Sequence, residues 1–276
     1  MNIFKIDTAD TKPVAKLVET VWSDLYKPYG IRREAKAKAE ARLIEVQGEI
    51  EVQGLLATLE DRAATRQSLT ELRRQQNQES IVQGSIQYLP ESVSDEKVDP
   101  DWTVQFFNAC QDVSNEEMQS LWSKILAGEV ARPRAYSLRT LDVVRKLRRS
   151  DAEMFTAFCA FVSNVDHQSS MGYFLSDQAR VHIRSRGLDC ALQLDALGLM
   201  QASDNITVLF DDDRPKVVTY YDQSVRIWPF SGIDVYPLTD SGNELFAICG
   251  SKKDDTYWSL LLDDWKKRGM TIEPIS

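Results

Sequence analysis

The sequence is poor in the residues that carry most reaction chemistry. Its 276 residues hold two histidines, His167 and His182, and four cysteines, Cys110, Cys159, Cys190 and Cys249. The cysteines lie 49, 31 and 59 residues apart, which fits neither a disulfide framework nor a zinc site. Buried free thiols in a reducing cytoplasm are the expectation. No glycine loop of the kind that cradles phosphate is present, nor any histidine–cysteine ligand set. Asp166, His167, Ser169 and Ser170 are close in sequence, but loop neighbours do not make a catalytic triad. The run Asp211-Asp-Asp213 could hold a divalent cation, although a solvated hairpin tip is the ordinary origin of such a run. No unbroken apolar run much exceeds that at residues 158–162, whereas a transmembrane helix needs about twenty apolar residues. The opening Met1-Asn-Ile-Phe-Lys-Ile-Asp7 lacks the apolar core of a secretory signal. These absences lead us to expect a cytoplasmic, non-enzymatic protein with no transmembrane segment, no cofactor and no metal.

What is present is a folded-protein composition, 43% apolar and 27% charged, with an uneven charge. Residues 1–90 carry 13 basic and 13 acidic side chains, and residues 91–120 carry one lysine against eight acids. Residues 121–149 then carry eight basic side chains against two acids. The remaining residues hold 11 basic and 19 acidic groups, which completes the formal charge of −9. An acidic window followed at once by a basic one can dock on itself or on another copy.

Periodicity gives the elements. Val14, Leu17, Val18, Val21, Trp22 and Leu25 form one apolar stripe behind a cap at Asp10 or Thr11 and Pro13. Its mixed-sign polar face favours packing on protein over a membrane surface. Between Pro28 and Pro90 lie 61 residues without proline, rich in strong helix formers. The repeat Ile44-Glu-Val-Gln-Gly48 and Ile50-Glu-Val-Gln-Gly54 reads as either strand or helix, and the helical spacing of Val52, Leu55, Leu56 and Leu59 decides for helix. One continuous helix there would be about 90 Å long, so the arm must fold back or pair with other copies. Residues 89–100 read as a loop.

Asp99-Pro100 opens a helix carrying Trp102, Phe106, Phe107 and Cys110. Ser114 with Glu117, and Ser150 with Glu153, read as capping boxes. The first starts a helix with Met118, Leu121, Trp122, Ile125 and Leu126 on its stripe, ending at Gly128. Ser137 caps a third helix holding Leu141, and the second box opens an apolar helix over residues 154–162. Further on, residues 176–186 and 188–199 read as helices. Residues 206–210, 216–221, 225–228 and 233–236 read as strands, and two helices follow, from Thr239 and over 257–267.

The expected fold is therefore α+β, mainly α. Residues 1–90 form an N-terminal helix and long helical arm, residues 91–165 a helical bundle, and residues 166–276 a winged-helix-like module. Trp102, Leu121, Trp122, Ile125, Leu126 and Leu141 are the expected core of the bundle. Arg132, Arg134, Arg139, Arg145 and Arg148 are the candidate site. They form either a salt-bridged helix corner or a grip for phosphate or an acidic protein surface. Nucleic acid is the weaker partner for this chain, because the acidic window competes for the arginines. Asp189, Asp195 and Asp211–213 would also face the phosphates in a winged-helix reader.

The run Leu121-Trp-Ser-Lys-Ile-Leu-Ala-Gly-Glu129, with Pro133 and Ser137-Leu-Arg-Thr-Leu141, resembles an uncharacterised bacterial family, domain of unknown function 2806. Asp101-Trp102, Met118-Gln119, Gln75–Asn77 and Leu238-Thr-Asp-Ser-Gly-Asn-Glu-Leu245 share in the resemblance. A shorter stretch, Leu121–Ala127 and the helices after it, is similar to abortive-infection alpha proteins. The resemblance implies a bacterial cytoplasmic protein of anti-phage defence and carries over no catalytic residues. The expected function is a self-associating sensor or adaptor, a homo-oligomer through residues 31–80 with a protein partner encoded by a neighbouring gene. The alternatives are a winged-helix nucleic-acid-binding regulator and, third, a defence nuclease or other toxin enzyme.

Overall fold

The computed structural model describes residues 12–21, 58–166, 171–174, 176–188, 190–202, 206–208, 215–228 and 233–275. Expectations on Asp10, Thr11, Trp22, Leu25, the arm up to residue 57, His167, Ser169, Ser170, Asp189 and Asp211–213 lie outside them. The chain divides into two compact units, Met1–Leu138 and Arg139–Ser276. That boundary falls inside the span 91–165 which the sequence presents as one bundle.

The first unit is helical among its described residues. Helix α1 (Lys12–Val21) buries Pro13, Leu17 and Val21. Helix α2 (Leu59–Ser85) starts at a reciprocal cap, in which Thr58 Oγ1 accepts from the Asp61 N–H and the Asp61 carboxylate accepts from the Thr58 N–H, both at 3.2 Å. Its second half packs on α4 (Glu116–Ala131) through Ile81, Val82 and Ser85. The helices approach closely there, because a Cβ on Gly84 would stand 2.7 Å from Ser123 Oγ, which itself donates to the Ile81 carbonyl at 2.9 Å. Helix α3 (Pro100–Cys110) is capped by Asp99, whose carboxylate accepts from the Asp101 N–H, with Pro100 at its first position.

Trp102, Phe106, Phe107 and Cys110 of α3 and Trp122, Ile125 and Leu126 of α4 are all buried. Phe106 stacks on Trp102 at 5.1 Å and meets Trp122 edge-on at 5.4 Å. Leu121 is half-buried at the rim of this core. Two boundaries differ from expectation. The cap of α4 is Asn115, whose side chain accepts from the Met118 N–H, while Ser114 Oγ accepts from the buried Asn77 side chain of α2. Nor does α4 end at Gly128. It runs on to Ala131, and the glycine serves packing, since a Cβ there would stand 2.7 Å from the Tyr136 ring.

The second unit joins helices to a sheet. Helices α5 (Leu138–Lys146) and α6 (Arg149–Phe158) come first. The cap of α6 is at Arg148, whose N–H donates to Asp151 at 2.9 Å, so the Ser150–Glu153 box does not form. The α6 helix also ends before residue 162: a single 3-10 turn, Cys159–Phe161, leads into strand β1 (Val162–Val165). Consecutive β-branched and aromatic residues read equally well as buried helix or buried strand, and here the strand prevails.

Strands β2 (Met171–Phe174), β3 (Ile206–Val208), β4 (Lys216–Tyr220), β5 (Gln223–Trp228), β6 (Ile233–Pro237) and β7 (Thr271–Ile275) complete a sheet of seven described strands. The order is β3-β6-β2-β1-β4-β5-β7, and every neighbouring pair is antiparallel. Helices α7 (Asp177–Ser185) and α8 (Ala191–Ala196) lie between β2 and β3 in the chain. Helices α9 (Asp240–Phe246) and α10 (Asp255–Lys267) lie between β6 and β7. The fold is α+β, mainly α. A winged-helix-like module with a short hairpin sheet does not describe this unit. Two strands precede α7 and a third follows α10, and the β4–β5 hairpin pairs with β1 and β7 instead of projecting as a wing.

An aromatic core fills the second unit, with Tyr220 stacked on Trp258 at 4.9 Å and Phe161 edge-on to Tyr257 at 5.2 Å. Buried Asp254 caps α10 by accepting from the Tyr257 N–H at 2.9 Å, and it also meets His182 Nε2 at 3.0 Å and the Arg186 guanidinium of the α7 end. Burial alone would raise the Asp254 pKa, but these donors overcome it and hold the carboxyl below its usual range.

Candidate functional site

The candidate site is the turn that follows α4. Helix α4 ends at Ala131, and Arg132 turns out of the helix with φ near −140° while its N–H still donates to the Gly128 carbonyl at 2.9 Å. The Ala135 N–H donates to the Arg132 carbonyl at 3.1 Å, which closes a tight turn with Pro133 in its second position and Arg134 in its third. Arg134 has φ of 68°, the left-handed region in which glycine or asparagine is the ordinary choice. A side chain there costs about 1 kcal/mol or more of backbone energy.

The glutamate of the motif holds this conformation. Glu129 is 1% exposed, and its two carboxylate oxygens accept from the Arg134 N–H at 2.7 Å and the Tyr136 N–H at 3.0 Å. Tyr136 is fixed again by its ring against Gly128 and by its carbonyl, which accepts from Trp102 Nε1 at 2.8 Å. Trp102, Gly128, Glu129 and Tyr136 thus act together as one clamp under the turn. Tyr136 is the member that sequence reasoning missed. It carries no periodic signal, and its place shows only in tertiary contacts, with Glu129, Trp102 and a glycine eight residues earlier.

On this base, Arg132 and Arg134 both face solvent. The Arg134 side chain is 84% exposed and pairs with Glu96 at 2.8 Å. An ion pair this exposed contributes under about 1 kcal/mol. Glu96 belongs to the acidic loop between α2 and α3, which the Ser94 N–H ties to the Ala131 carbonyl at 2.9 Å. Beside that loop a cavity of about 360 Å³ opens, lined by Lys12, Lys16, Asp95 and Lys97 among others. Burial lowers the pKa of Lys16 there despite neighbouring Asp95 and Glu96, and its ammonium donates to the Ser94 carbonyl at 2.8 Å.

The remaining candidates belong to the second unit. Arg139 and Arg145 lie on the exposed face of α5, and Arg148 is exposed at the start of α6. The buried face of α5 holds Thr140, Leu141 and Val144. Thr140 Oγ1 meets Ser241 Oγ at 3.0 Å, so the two motifs Ser137-Leu-Arg-Thr-Leu141 and Leu238-Thr-Asp-Ser-Gly-Asn-Glu-Leu245 meet in the interior. In the latter, Thr239 caps α9 by accepting from the Gly242 N–H at 3.0 Å and donates to the Gly198 carbonyl at 2.7 Å. Asp166 is structural: its carboxylate accepts from the Val217 N–H at 2.8 Å and pairs with Lys216 at 3.2 Å. Among the described residues, no group of three or more His, Cys, Asp or Glu side chains could hold a metal ion, and no helix is long and apolar enough to cross a membrane.

The clamp gives a prediction of opposite signs. Glu129→Gln keeps one acceptor but turns an amide N–H₂ toward a backbone N–H, and should cost about 1.5–3 kcal/mol. Arg134→Gly relieves the left-handed backbone and should be neutral or stabilising by up to about 1 kcal/mol. Urea unfolding of both variants checks this, and equal loss in the two would show that the carboxylate does not hold the turn.

No curated protein and no solved structure is significantly similar to this chain. The similarity to abortive-infection alpha proteins has no support from these comparisons. One family model does match, that of the protein of unknown function DUF2806, over residues 61–262. This covers Trp102, the whole clamp, both interior motifs and most of the sheet, and the chain belongs to that family.

Proposed function

We propose that this protein is a non-enzymatic, self-associating interaction protein whose helical arm meets the same arm in a second copy. The observation that carries the reading is the first half of α2. From Thr58 to Glu71 nearly every side chain is exposed, with Leu59 at 70% and Leu69 at 43%, while the second half of the same helix is packed on α4. About fourteen residues of helix are marginal in water unless a face is covered. The charge through residue 90 is balanced, 13 basic against 13 acidic side chains, so two arms do not repel each other on net charge.

The arginine turn supplies a second contact surface in this reading. A left-handed arginine where glycine would cost less favours a role for the side chain itself, and an acidic protein surface suits it by charge. A place in anti-phage defence, as sensor or adaptor with a partner from a neighbouring gene and a cytoplasmic location, rests on the family resemblance of the sequence.

Light scattering on the full chain at tens of micromolar should report more than one copy. Leu59→Glu with Leu69→Glu changes two exposed side chains and should give a smaller mass with unchanged helix content. Arg132→Glu with Arg134→Glu should weaken partner binding and leave that mass alone. A full-length protein that stays monomeric overturns the proposal.

A further inference from the structure

The two faces of the sheet differ around β1 and β4. Side chains alternate along a strand, and directly paired residues share a face. The register Asn164↔Thr219 therefore puts Val162 and Asn164 of β1 on one face with Thr219 of β4. Val218 and Tyr220, out of phase with Thr219, are fully buried on the other face, Tyr220 within the aromatic core. On the Asn164 face a cavity of about 350 Å³ lies between the strands and the end of α9, lined by Asn164, Thr219, Tyr221, Phe246 and Ser251 among others. None of its described lining residues carries a charge.

Tyr221 enters this lining from the two-residue β4–β5 turn with φ of 53°, where asparagine or glycine is the ordinary choice. A tyrosine kept there points to a task for its side chain. Its hydroxyl proton is already committed, since Tyr221 Oη donates to the Cys159 carbonyl at 3.0 Å. Ser251 Oγ, 2.6 Å from Tyr221 Oη, must then donate to it. With both protons spent, the two hydroxyls present only lone pairs to the cavity. The Asn164 carboxamide oxygen and Thr219 Oγ1 are acceptors of the same kind.

We propose that this cavity binds a free nucleoside. Its volume is in the range of small-molecule sites. Ribose hydroxyls and base N–H groups supply the donors that a wall of lone pairs requires, and Val162 and Phe246 give the flat base an apolar surface to lie on. The uncharged lining sets the preference for nucleoside over nucleotide. A phosphate would meet no cation among the described lining residues, and a charge placed against uncharged walls loses its hydration without return. The site belongs to the second unit and owes nothing to the arm, so this proposal and that of self-association can fail separately.

Calorimetric titration of the full chain with adenosine and with uridine tests the proposal. At least one of the two should bind saturably at a single site, and its monophosphate should bind about tenfold or more weakly. Ala247→Trp changes an exposed residue at the rim and should abolish binding with an unchanged unfolding midpoint. Ser251→Ala removes one acceptor and should weaken binding. Absence of binding by both nucleosides at millimolar concentration would overturn the proposal. So would equal affinity for the monophosphate or for glucose, or undiminished binding in Ala247→Trp. The comparison of ligands on the wild-type chain decides the matter even if a variant does not fold.

Discussion

Trp122→Ala should lower the stability of the first unit by about 3–5 kcal/mol, a large part of what holds a domain of ordinary size together. Trp122 is fully buried, and so are its neighbours Phe106, Ile125 and Leu126. Removing the indole leaves a cavity walled by helices α3 and α4, which α2 and the aromatic stack already hold in place. Such a site has little freedom to collapse, and the cost rises with the cavity that remains. The indole N–H finds no hydrogen-bond partner in this core. Trp122 therefore contributes by volume and ring contact, and Trp122→Phe should recover more than half of the loss. Denaturant titrations of the two variants check both statements. An unchanged midpoint in Trp122→Ala would remove the residue from the core, and equal losses in the two would mean that the indole nitrogen matters after all.

How much of this could be read in advance depends on the range of the forces involved. The core of the first unit was legible, because Trp102, Phe106, Trp122, Ile125 and Leu126 recur at helical spacing, and local periodicity needs no tertiary information. The Asp99-Pro100 start was legible for the same reason. Capping boxes were legible only to within two residues: Asn115 and Arg148 take the roles that Ser114 and Ser150 advertise, since several adjacent polar residues compete and packing chooses among them. The sheet was half legible. Its β4–β5 hairpin is local, whereas β1 and β7 become strands by pairing with β4 and β5, residues distant in sequence in the first case and at the far end of the chain in the second. The arginine corner was legible as an unusual cluster. What could not be seen was that Glu129 spends its carboxylate on backbone N–H groups, and that Arg132 and Arg134 belong to one unit while Arg139, Arg145 and Arg148 belong to the other.

Gly242→Ala should have the larger effect in the second unit, about 3 kcal/mol or more, beyond the ordinary range for overpacking. The reason is what the new methyl group would meet. An ideal Cβ on Gly242 stands 2.0 Å from the Leu199 carbonyl oxygen and 3.1 Å from its carbon, which are backbone atoms with no rotamer to yield. The same carbonyl accepts from the Thr239 N–H at 3.1 Å, and the Gln201 N–H donates to the Pro237 carbonyl at 2.9 Å. The Leu199 segment is thus stitched to the start of α9 and cannot move away alone. If α9 shifts instead, Ser241 leaves Thr140 and two buried hydroxyls lose their contact, at about 1 kcal/mol for a net hydrogen bond. Helix propensity works the other way, since alanine in place of glycine favours a helix by about 1 kcal/mol, so the sign of the result separates a steric role from a conformational one. Amide exchange across α9 and the Leu199 turn should rise sharply in Gly242→Ala, with protection in α3 and α4 preserved. A variant as stable as the wild type, with α9 still protected, would show that the close approach at Leu199 is not a feature of the folded protein.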